Sequence, residues 1–228
     1  MSFYSDCLFP RYYDRVMKGA PLEHARRRSL RTAAGRILEL GIGTGQNLPC
    51  YPTSVRSLTA VDPNPGMERE LRRKLTRTEL EGQPSQVEVE FVRAPAERLP
   101  FPDASFDTLV STQVLCSVDN TQRTLEEALR VLRPGGRLLA LEHGHSDEPS
   151  VARWQRWLTP AQRLFAAGCR LDVPIAHVIA DAGFQIDVLE RYYMPGDPKT
   201  HGSMYEGIAS KPLSLPVRKL FAAAGRPT

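Results

Sequence analysis

The sequence has few cysteines and spaces them widely. Its 228 residues contain four, Cys7, Cys50, Cys116 and Cys169, and no CxxC pair or Cys/His ligand spacing occurs. Zinc ribbons, zinc fingers and disulfide frameworks depend on closely spaced ligands or on cysteines that can be paired. The spacing therefore predicts neither a metal site nor a disulfide scaffold.

Long apolar runs are also absent. No stretch reaches the roughly 18 apolar residues that a membrane-spanning helix needs. The first segment, "MSFYSDCLFPRYYDR", lacks the uninterrupted apolar region typical of a signal peptide. We therefore expect a cytoplasmic protein. No internal repeat is present, and nothing in the pattern specifies an oligomeric state.

Acidic residues do not balance the basic ones. The chain has 30 Lys and Arg against 26 Asp and Glu, a net charge of +4, and the excess lies mainly in "RYYDRVMKG", "HARRRSLRTAAGR" and "ELRRKLTR". The arginines are not interleaved with aromatic residues on predicted strands, so no nucleic-acid surface is expected. Solvated helix faces are the main interpretation. Weak peripheral contact with anionic membrane, or contact with an acidic partner, stays open.

The patterning divides the chain into three regions. Residues 1–35 are predicted to form a basic, helical N-terminal extension or lid, and 211–228 a proline-containing tail with one short helix near Arg218–Ala224. Between them, residues 36–210 alternate short apolar runs with longer helical stretches. This alternation predicts an α/β fold with a doubly wound, mostly parallel sheet. The predicted strands are Arg36–Leu40, Ser57–Val61, Val87–Val92, Thr108–Ser111, Arg137–Leu141, Phe184–Leu189 and Met204–Ala209.

Three details of the connections are also predicted. "RPGGR" (133–137) is expected to be a turn between a helix and the next strand. The helical stretch Val151–Ala182 is expected to break near Gly168. No long helix separates the last two strands, so the final strand is expected to be antiparallel.

A glycine-rich stretch, "RILELGIGTGQN", follows the first predicted strand. Glycines at this turn allow positive φ and close approach of the backbone to a ligand. A dinucleotide site needs a third glycine where this chain has Gln46, because the spacing of Gly41, Gly43 and Gly45 is GxGxG. Glu39 precedes the loop, and its carboxylate would repel a pyrophosphate but suit an ammonium or sulfonium group.

An acidic residue also ends the second predicted strand. Asp62 lies 21 positions after Gly41, and a carboxylate at that place can accept hydrogen bonds from both ribose hydroxyls. S-adenosylmethionine combines a ribose, a cationic sulfur and an amino-acid tail. The loop and this acid together therefore favour S-adenosylmethionine as the cofactor.

Five segments carry a resemblance to a known family: "ILELGIGTG", "VDPNPGM", "APAERLPFPDASFDTLVSTQVLCSV", "EALRVLRPGGRLLALEH" and "LTPAQRLFAAGC". Together they resemble class I S-adenosylmethionine-dependent methyltransferases, and in particular the methyltransferase-like 7 group of alkyl thiol methyltransferases and its bacterial relatives. The likeness runs from Arg36 to Ala209. It implies a Rossmann-like methyltransferase sheet whose last strand is antiparallel.

The resemblance implies a set of cofactor contacts. Asn47 follows the glycine loop at the start of a helix, and Asp62 matches the ribose acid. Pro95 stands where the wider superfamily has an aspartate on the adenine amino group, so the backbone around Ala96, with Glu97, is expected to hold the adenine. A helix or turn cap is the alternative role of Glu97. The contacts expected with the methionine part and the methyl group are Thr112, Gln113 and Leu115.

Other matched positions bear on the methyl acceptor. Cys116 stands where many relatives have a histidine, and it either lines the acceptor pocket or fills the core. The pair Gly168-Cys169 matches the thiol methyltransferases, whereas the "RLDV" that follows departs from their polar and arginine pattern. The mammalian members also have an apolar N-terminal anchor, and we expect this chain to be a soluble form without one. The departures weaken the substrate assignment more than the cofactor assignment.

The end of the fifth strand supplies the predicted reactive group. His143, in "LEHGHS", is the first candidate for a base or thiolate-stabilising group and His145 is the second, with a structural role as the alternative for each. Glu142 is expected to make a structural hydrogen bond. Tyr13 and Asp14 are expected to close over the cofactor as a lid, or else to pack as an ordinary helix.

A thiol is the acceptor that the residues and the resemblance favour. An N-methyltransferase of an amine or a phospholipid headgroup stays open, since the basic N-terminal segment would approach anionic membrane. An NAD-dependent oxidoreductase is disfavoured by Gln46. A non-catalytic module that binds S-adenosylmethionine and regulates a partner is the minor alternative.

Overall fold

The computed structural model describes residues 8–80 and 87–213. The short helix predicted near Arg218–Ala224 lies outside the described residues, as does Cys7. Within them, seven strands form one sheet in the order β3-β2-β1-β4-β5-β7-β6. The strands are β1 (Ile37–Leu40), β2 (Ser57–Val61), β3 (Glu88–Val92), β4 (Phe106–Thr112), β5 (Leu132–His143), β6 (Gln185–Tyr193) and β7 (Ser203–Ser210).

The sheet has the predicted direction of its strands. Strands β1 to β5 pair in parallel, while β7 is antiparallel to both β5 and β6. All seven predicted strands are confirmed, and so is the doubly wound α/β class with an antiparallel last strand. Strand order reverses between β1 and β4, and ligands of such sheets bind beyond the carboxyl ends of the strands at that point.

Seven α-helices accompany the sheet in the described part of the chain. They are α1 (Phe9–Val16), α2 (Ala20–Leu30), α3 (Pro65–Leu80), α4 (Thr121–Val131), α5 (Pro149–Phe165), α6 (Ile175–Ala182) and α7 (Lys199–Gly202). The Asn120 side chain caps α4 by accepting a hydrogen bond from the Arg123 backbone N–H at 2.9 Å. Gly183, with φ of 106°, ends α6. The predicted break near Gly168 is confirmed.

The core lies on both faces of the sheet because successive side chains of a strand point to opposite sides. On β5, Leu138 packs in the cluster that contains Leu125 of α4 and Ile179 of α6. The next residue, Leu139, packs in the cluster that contains Leu71 of α3. All four residues of β1 are buried, as expected for a strand covered on both faces.

The turn predicted at 133–137 is wrong. β5 begins at Leu132, directly after α4, and pairs with Phe106 before its register against β4 shifts. Gly135 has φ of 74°, and its N–H donates to the Lys211 carbonyl oxygen at 2.9 Å. The left-handed residue therefore bends the chain inside the strand, instead of ending one element and starting another.

The N-terminal extension contains α1 and α2. α2 is held to the sheet by Arg28, whose Nε donates to Glu206 Oε1 at 2.7 Å. The Arg28 guanidinium also lies over the Tyr192 ring, 5.4 Å from its centroid. Among the described residues, no helix combines the length and the apolar character needed to cross a membrane.

Candidate active site

The glycine loop follows β1 at the point where strand order reverses. Gly41, Gly43 and Gly45 have φ of 56°, 56° and 78°. A Cβ on Gly41 would lie 2.7 Å from Val114 Cγ2, and one on Gly45 would lie 2.6 Å from Leu71 Cδ1. Only glycine fits this conformation and these approaches.

Asp62 ends β2 beside this loop, as the spacing predicted. Its Oδ2 accepts a hydrogen bond from the Gly43 backbone N–H at 3.0 Å, and its Oδ1 accepts one from the Asn64 N–H at 2.8 Å. Burial raises the pKa of the Asp62 carboxyl, while these two donors oppose the shift. The carboxylate and the loop therefore form one surface for a ligand.

Glu39 is more enclosed than the sequence indicated. Its Oε1 accepts from Asn47 Nδ2 at 3.0 Å and its Oε2 accepts from the Tyr51 hydroxyl at 2.7 Å. Burial raises the pKa of Glu39 to about 7, and the two hydrogen bonds oppose that rise. Asn47 Nδ2 also donates to Thr112 Oγ1 at 3.0 Å, so this network joins β1 to the end of β4.

Two acceptor oxygens at these strand ends fit a cationic ligand. Asn47 Oδ1 and Gln113 Oε1 are buried and have no hydrogen-bond partner within residues 8–80 and 87–213. Gln113 also has a positive φ of 55°. Buried acceptors are ordinarily paired, so these two oxygens, together with the Asp62 carboxylate at the end of β2, suit the ammonium and hydroxyl donors of S-adenosylmethionine.

Glu142 fixes the loop after β4. Its carboxylate accepts from Ser111 Oγ at 2.6 Å and from the backbone N–H groups of Val114 and Leu115 at 3.1 and 3.2 Å. Burial raises its pKa to about 7. The expected structural role of Glu142 is confirmed. The Leu115 side chain is fully buried in the core, so a cofactor contact there would come from its backbone.

The residues predicted to hold the adenine lie in the loop after β3. Ala96 is buried. Glu97 Oε1 accepts from the backbone N–H groups of Asp119 and Asn120, at 2.9 and 3.3 Å, just before α4. This carboxylate therefore acts as a cap, and an adenine contact from Ala96 and Glu97 stays a prediction.

Three candidate residues of the acceptor side come together. His143 Nε2 lies 2.9 Å from Cys169 Sγ, and Cys169 Sγ lies 3.9 Å from Cys116 Sγ. Both cysteines are buried, whereas His143 is partly exposed. Spacing along the chain did not reveal this cluster, because its members come from the loop after β4, the end of β5 and the α5–α6 connection.

The protonation of this cluster follows from its contacts. Hydrogen bonding to Cys116 and burial raise the pKa of the Cys169 thiol, and the His143 imidazole opposes that rise. Burial lowers the pKa of His143, but the contact with Cys169 outweighs it and places the pKa above its ordinary value. The raised pKa keeps Cys169 a neutral thiol at neutral pH.

His145 lies outside this cluster. Its backbone N–H donates to the Val173 carbonyl oxygen at 2.9 Å, and its carbonyl oxygen accepts from the Tyr205 hydroxyl at 2.5 Å. These contacts belong to its main chain and hold the segment after β5 in place. A substrate contact from the His145 ring stays a prediction.

The N-terminal helix lies on the glycine loop. Tyr13 Cε1 is 3.5 Å from the place of a Cβ on Gly43. Asp14 Oδ1 accepts from Thr44 Oγ1 at 2.7 Å and from Gln46 Nε2 at 2.5 Å, and it also pairs with Lys74 of α3. We call this set of contacts the Asp14 latch.

The latch gives Gln46 a structural role that the glycine spacing alone did not indicate. Gln46 supplies a side-chain donor to α1, and Lys74 Nζ donates to the Thr44 carbonyl oxygen at 2.9 Å. Burial disfavours ionised Asp14, but hydrogen bonds from Lys74 and Lys18 outweigh it and hold the pKa of Asp14 well below its usual range. The ion pairs therefore persist at neutral pH.

Known proteins share both the sequence pattern and the fold. A family model described as a methyltransferase domain matches residues 38–140. The chain is 38% identical to human thiol S-methyltransferase TMT1B over 172 residues, 74% of this chain and 68% of that protein. It is 32% identical to phosphatidylethanolamine N-methyltransferase of Cereibacter sphaeroides over 182 residues, 78% of this chain and 85% of that protein. The chain belongs to the class I S-adenosylmethionine-dependent methyltransferases. The alternative of an NAD-dependent oxidoreductase is therefore wrong.

The extent of these matches limits which properties of the relatives can be assigned to this methyltransferase. It is 41% identical to rat thiol S-methyltransferase TMT1B over 137 residues. That match covers 59% of this chain and about half, 54%, of the length of that relative. A crystal structure of a SAM-dependent methyltransferase from Methanosarcina mazei superposes with a TM-score of 0.62 at 21% identity, covering 82% of this chain and 97% of that one. The structural likeness shows the fold. The cofactor of this methyltransferase is S-adenosylmethionine.

Proposed function

We propose that this methyltransferase transfers the methyl group of S-adenosylmethionine to the sulfur of a small-molecule thiol. One observation carries the proposal: His143 is partly exposed at the carboxyl edge of the sheet, and the sulfur of Cys169, 2.9 Å from its Nε2, raises its pKa toward the range of a base at neutral pH. The identity to thiol S-methyltransferase TMT1B supports the same acceptor class.

The cofactor supplies an activated methyl group on a sulfonium, whose sulfur is also the leaving group. The protein then has to bind and orient the cofactor and the acceptor, and to exclude water. The glycine loop and Asp62 would hold the adenosyl part, and the acceptors Asn47 Oδ1 and Gln113 Oε1 would receive donors of the amino-acid part. The Asp14 latch would keep α1 over the loop.

His143 would take the proton from the acceptor thiol. A free thiol has a pKa of about 8.5 and is only a few per cent ionised at neutral pH. A base is most effective when its pKa lies near the working pH, and the contact with Cys169 moves the pKa of His143 upward from 6.5. The imidazole would then hold that proton, and the acceptor sulfur would be left as the nucleophile for the methyl group that the cofactor supplies.

A panel of acceptors tests the acceptor class directly. The purified chain is incubated with methyl-labelled cofactor and with alkyl thiols, amines, phenols or phosphatidylethanolamine vesicles, and the labelled products are separated. We expect label on the thiols. Label on amines or lipid alone contradicts the thiol proposal, and tight cofactor binding without turnover on any acceptor favours the regulatory module.

A second candidate is methylation of a phospholipid headgroup, and the outer face of α5 favours it. Trp154 and Trp157 are 57% and 71% exposed, with ring centroids 5.6 Å apart. Arg153, Arg156 and Arg163 are exposed on the same helix, which has no acidic residue. Exposed tryptophan beside arginine is typical of a helix that lies at a lipid interface.

Co-sedimentation with vesicles measures this contact. We expect the chain to bind vesicles that contain anionic lipid, and we expect binding to fall as salt is added. Replacing Trp154 and Trp157 together with alanine is expected to weaken binding by about tenfold or more, because both rings would leave the interface. Val188→Ala, at an exposed apolar position on the edge strand β6, is the matched control. Equal vesicle binding by both variants would show that α5 does not contact the lipid surface.

A further inference from the structure

The cluster behind His143 has the composition of a metal site. Cys116, His143 and Cys169 each offer one ligand atom, and the three atoms lie within 4.8 Å of one another. We propose that Cys116 Sγ, His143 Nε2 and Cys169 Sγ bind one Zn²⁺ ion and leave its fourth position open toward the cofactor edge of the sheet. The argument for this site does not rest on the thiol reaction proposed above, although the two share His143.

The spacing of the two sulfur atoms suits a tetrahedral ion. Zinc–sulfur bonds of about 2.3 Å place two sulfur ligands about 3.8 Å apart, and the two Sγ atoms are 3.9 Å apart. His143 Nε2 is 2.9 Å from Cys169 Sγ, so that pair has to separate by about 0.6 Å to reach the roughly 3.5 Å expected between a nitrogen and a sulfur ligand. His143 is the partly exposed member of the cluster.

The backbone holds the two cysteines against each other. The Arg170 N–H donates to the Cys116 carbonyl oxygen at 2.8 Å, and Arg170 Nη2 donates to Thr121 Oγ1 at 2.6 Å. Gly168, with φ of 90°, lets the α5–α6 connection approach so closely that a Cβ there would lie 3.0 Å from the Ser117 carbonyl oxygen. Two ligands are thus placed before any ion arrives, which is what a metal site needs.

The chemistry of the donors selects the ion. Two thiolates and one imidazole are ligands for zinc and other thiophilic cations and not for magnesium or calcium. Binding converts two thiols to thiolates and releases their two protons to solvent, while the imidazole binds through its neutral form. The resulting complex of Zn²⁺ with two thiolates has no net charge, so it can be buried at lower cost than the free ion.

Metal binding would remove His143 from proton transfer. The Nε2 lone pair that would take the proton of the substrate thiol is the one that would bind zinc. We therefore expect Zn²⁺ to inhibit thiol methylation and a chelator to restore it. This consequence rests on the proposed thiol reaction, whereas the site itself does not.

Cobalt provides a probe that needs no activity. The reduced, metal-free full chain is titrated with Co²⁺, and thiolate-to-cobalt charge-transfer and tetrahedral d–d absorption are recorded before Zn²⁺ is added. We expect one equivalent to bind with both spectral features and zinc to displace it. Cys116→Ser and Cys169→Ser are each expected to weaken cobalt binding by about 100-fold or more. Loss of a metal ligand lowers the affinity more than loss of a residue that hydrogen-bonds to a ligand.

Cys50→Ser is the matched control, because Cys50 is also a buried free cysteine but lies in the other core cluster. Its cobalt spectrum should equal that of the parent, and each variant's fold is checked by its heat of cofactor binding. No thiolate–cobalt absorption in the reduced chain, or an unchanged spectrum in both site variants, overturns the proposal. A cobalt spectrum with no thiol methylation keeps the metal site and rejects the thiol function.

Discussion

Replacing Asp62 with alanine is expected to weaken binding of S-adenosylmethionine by about 100-fold or more. The carboxylate lies beside the glycine loop at the end of β2, where it would accept hydrogen bonds from both ribose hydroxyls. Each hydrogen bond to a charged group contributes about 1.5–3 kcal/mol, and two lost bonds correspond to at least about two powers of ten in affinity.

Calorimetry with S-adenosylmethionine and with its demethylated product measures this effect. Asp187→Ala, an exposed carboxylate on β6, should leave both affinities unchanged. Asp62→Asn keeps one acceptor oxygen for the Gly43 or Asn64 N–H and should lose less than Asp62→Ala. Thermal unfolding without ligand shows whether the loop still folds. An affinity within twofold of the parent for a folded Asp62→Ala chain would remove this residue from the cofactor site.

Replacing His143 with alanine is expected to lower thiol turnover by about 10²- to 10⁴-fold, the usual contribution of a general base. The affinity for the cofactor should stay within about twofold, because His143 lies on the acceptor side and the loop contacts are untouched. Single-turnover rates with a saturating alkyl thiol, measured beside cofactor-binding heats, separate the two effects. His177→Ala, on the exposed face of α6, is the matched control.

The pH profile adds a second readout for His143. Only the neutral imidazole accepts a proton, and the folded-state pKa of His143 lies above its ordinary 6.5. The parent rate should therefore fall as pH drops through that raised pKa, in addition to any fall caused by protonation of the acceptor. In His143→Gln, the fall in rate caused by protonation of the histidine should disappear, and the fall caused by protonation of the acceptor should remain. An unchanged rate for His143→Ala removes this residue from the mechanism.

Local patterns were enough to predict the sheet and the cofactor edge. Short apolar runs separated by helical stretches locate strands because a strand covered on both faces must be apolar along its length. The parallel topology brings the carboxyl ends of the first two strands to the same edge of the sheet. It therefore places the GxGxG loop, which follows the first strand, beside Asp62, which ends the second. These inferences need no knowledge of side chains from distant parts of the chain.

Contacts between distant segments could not be predicted in this way. Glu39 was expected to face a cationic ligand, but Asn47 and Tyr51 occupy its two carboxylate oxygens. Gln46 was considered only as a missing glycine, because its partner Asp14 lies 32 positions away. Tertiary packing alone decides such pairings.

The Asp14 latch also bears on the timing of catalysis. Spent cofactor has to be exchanged for fresh cofactor in every cycle, and α1 lies over the loop that binds both. If exchange requires Asp14 to leave Thr44, Gln46 and Lys74, the slow event of steady-state turnover is a movement of the helix and not the breaking of a bond. Deuterium in the transferred methyl group would then leave the steady-state rate unaltered, even though the chemical step itself senses the isotope.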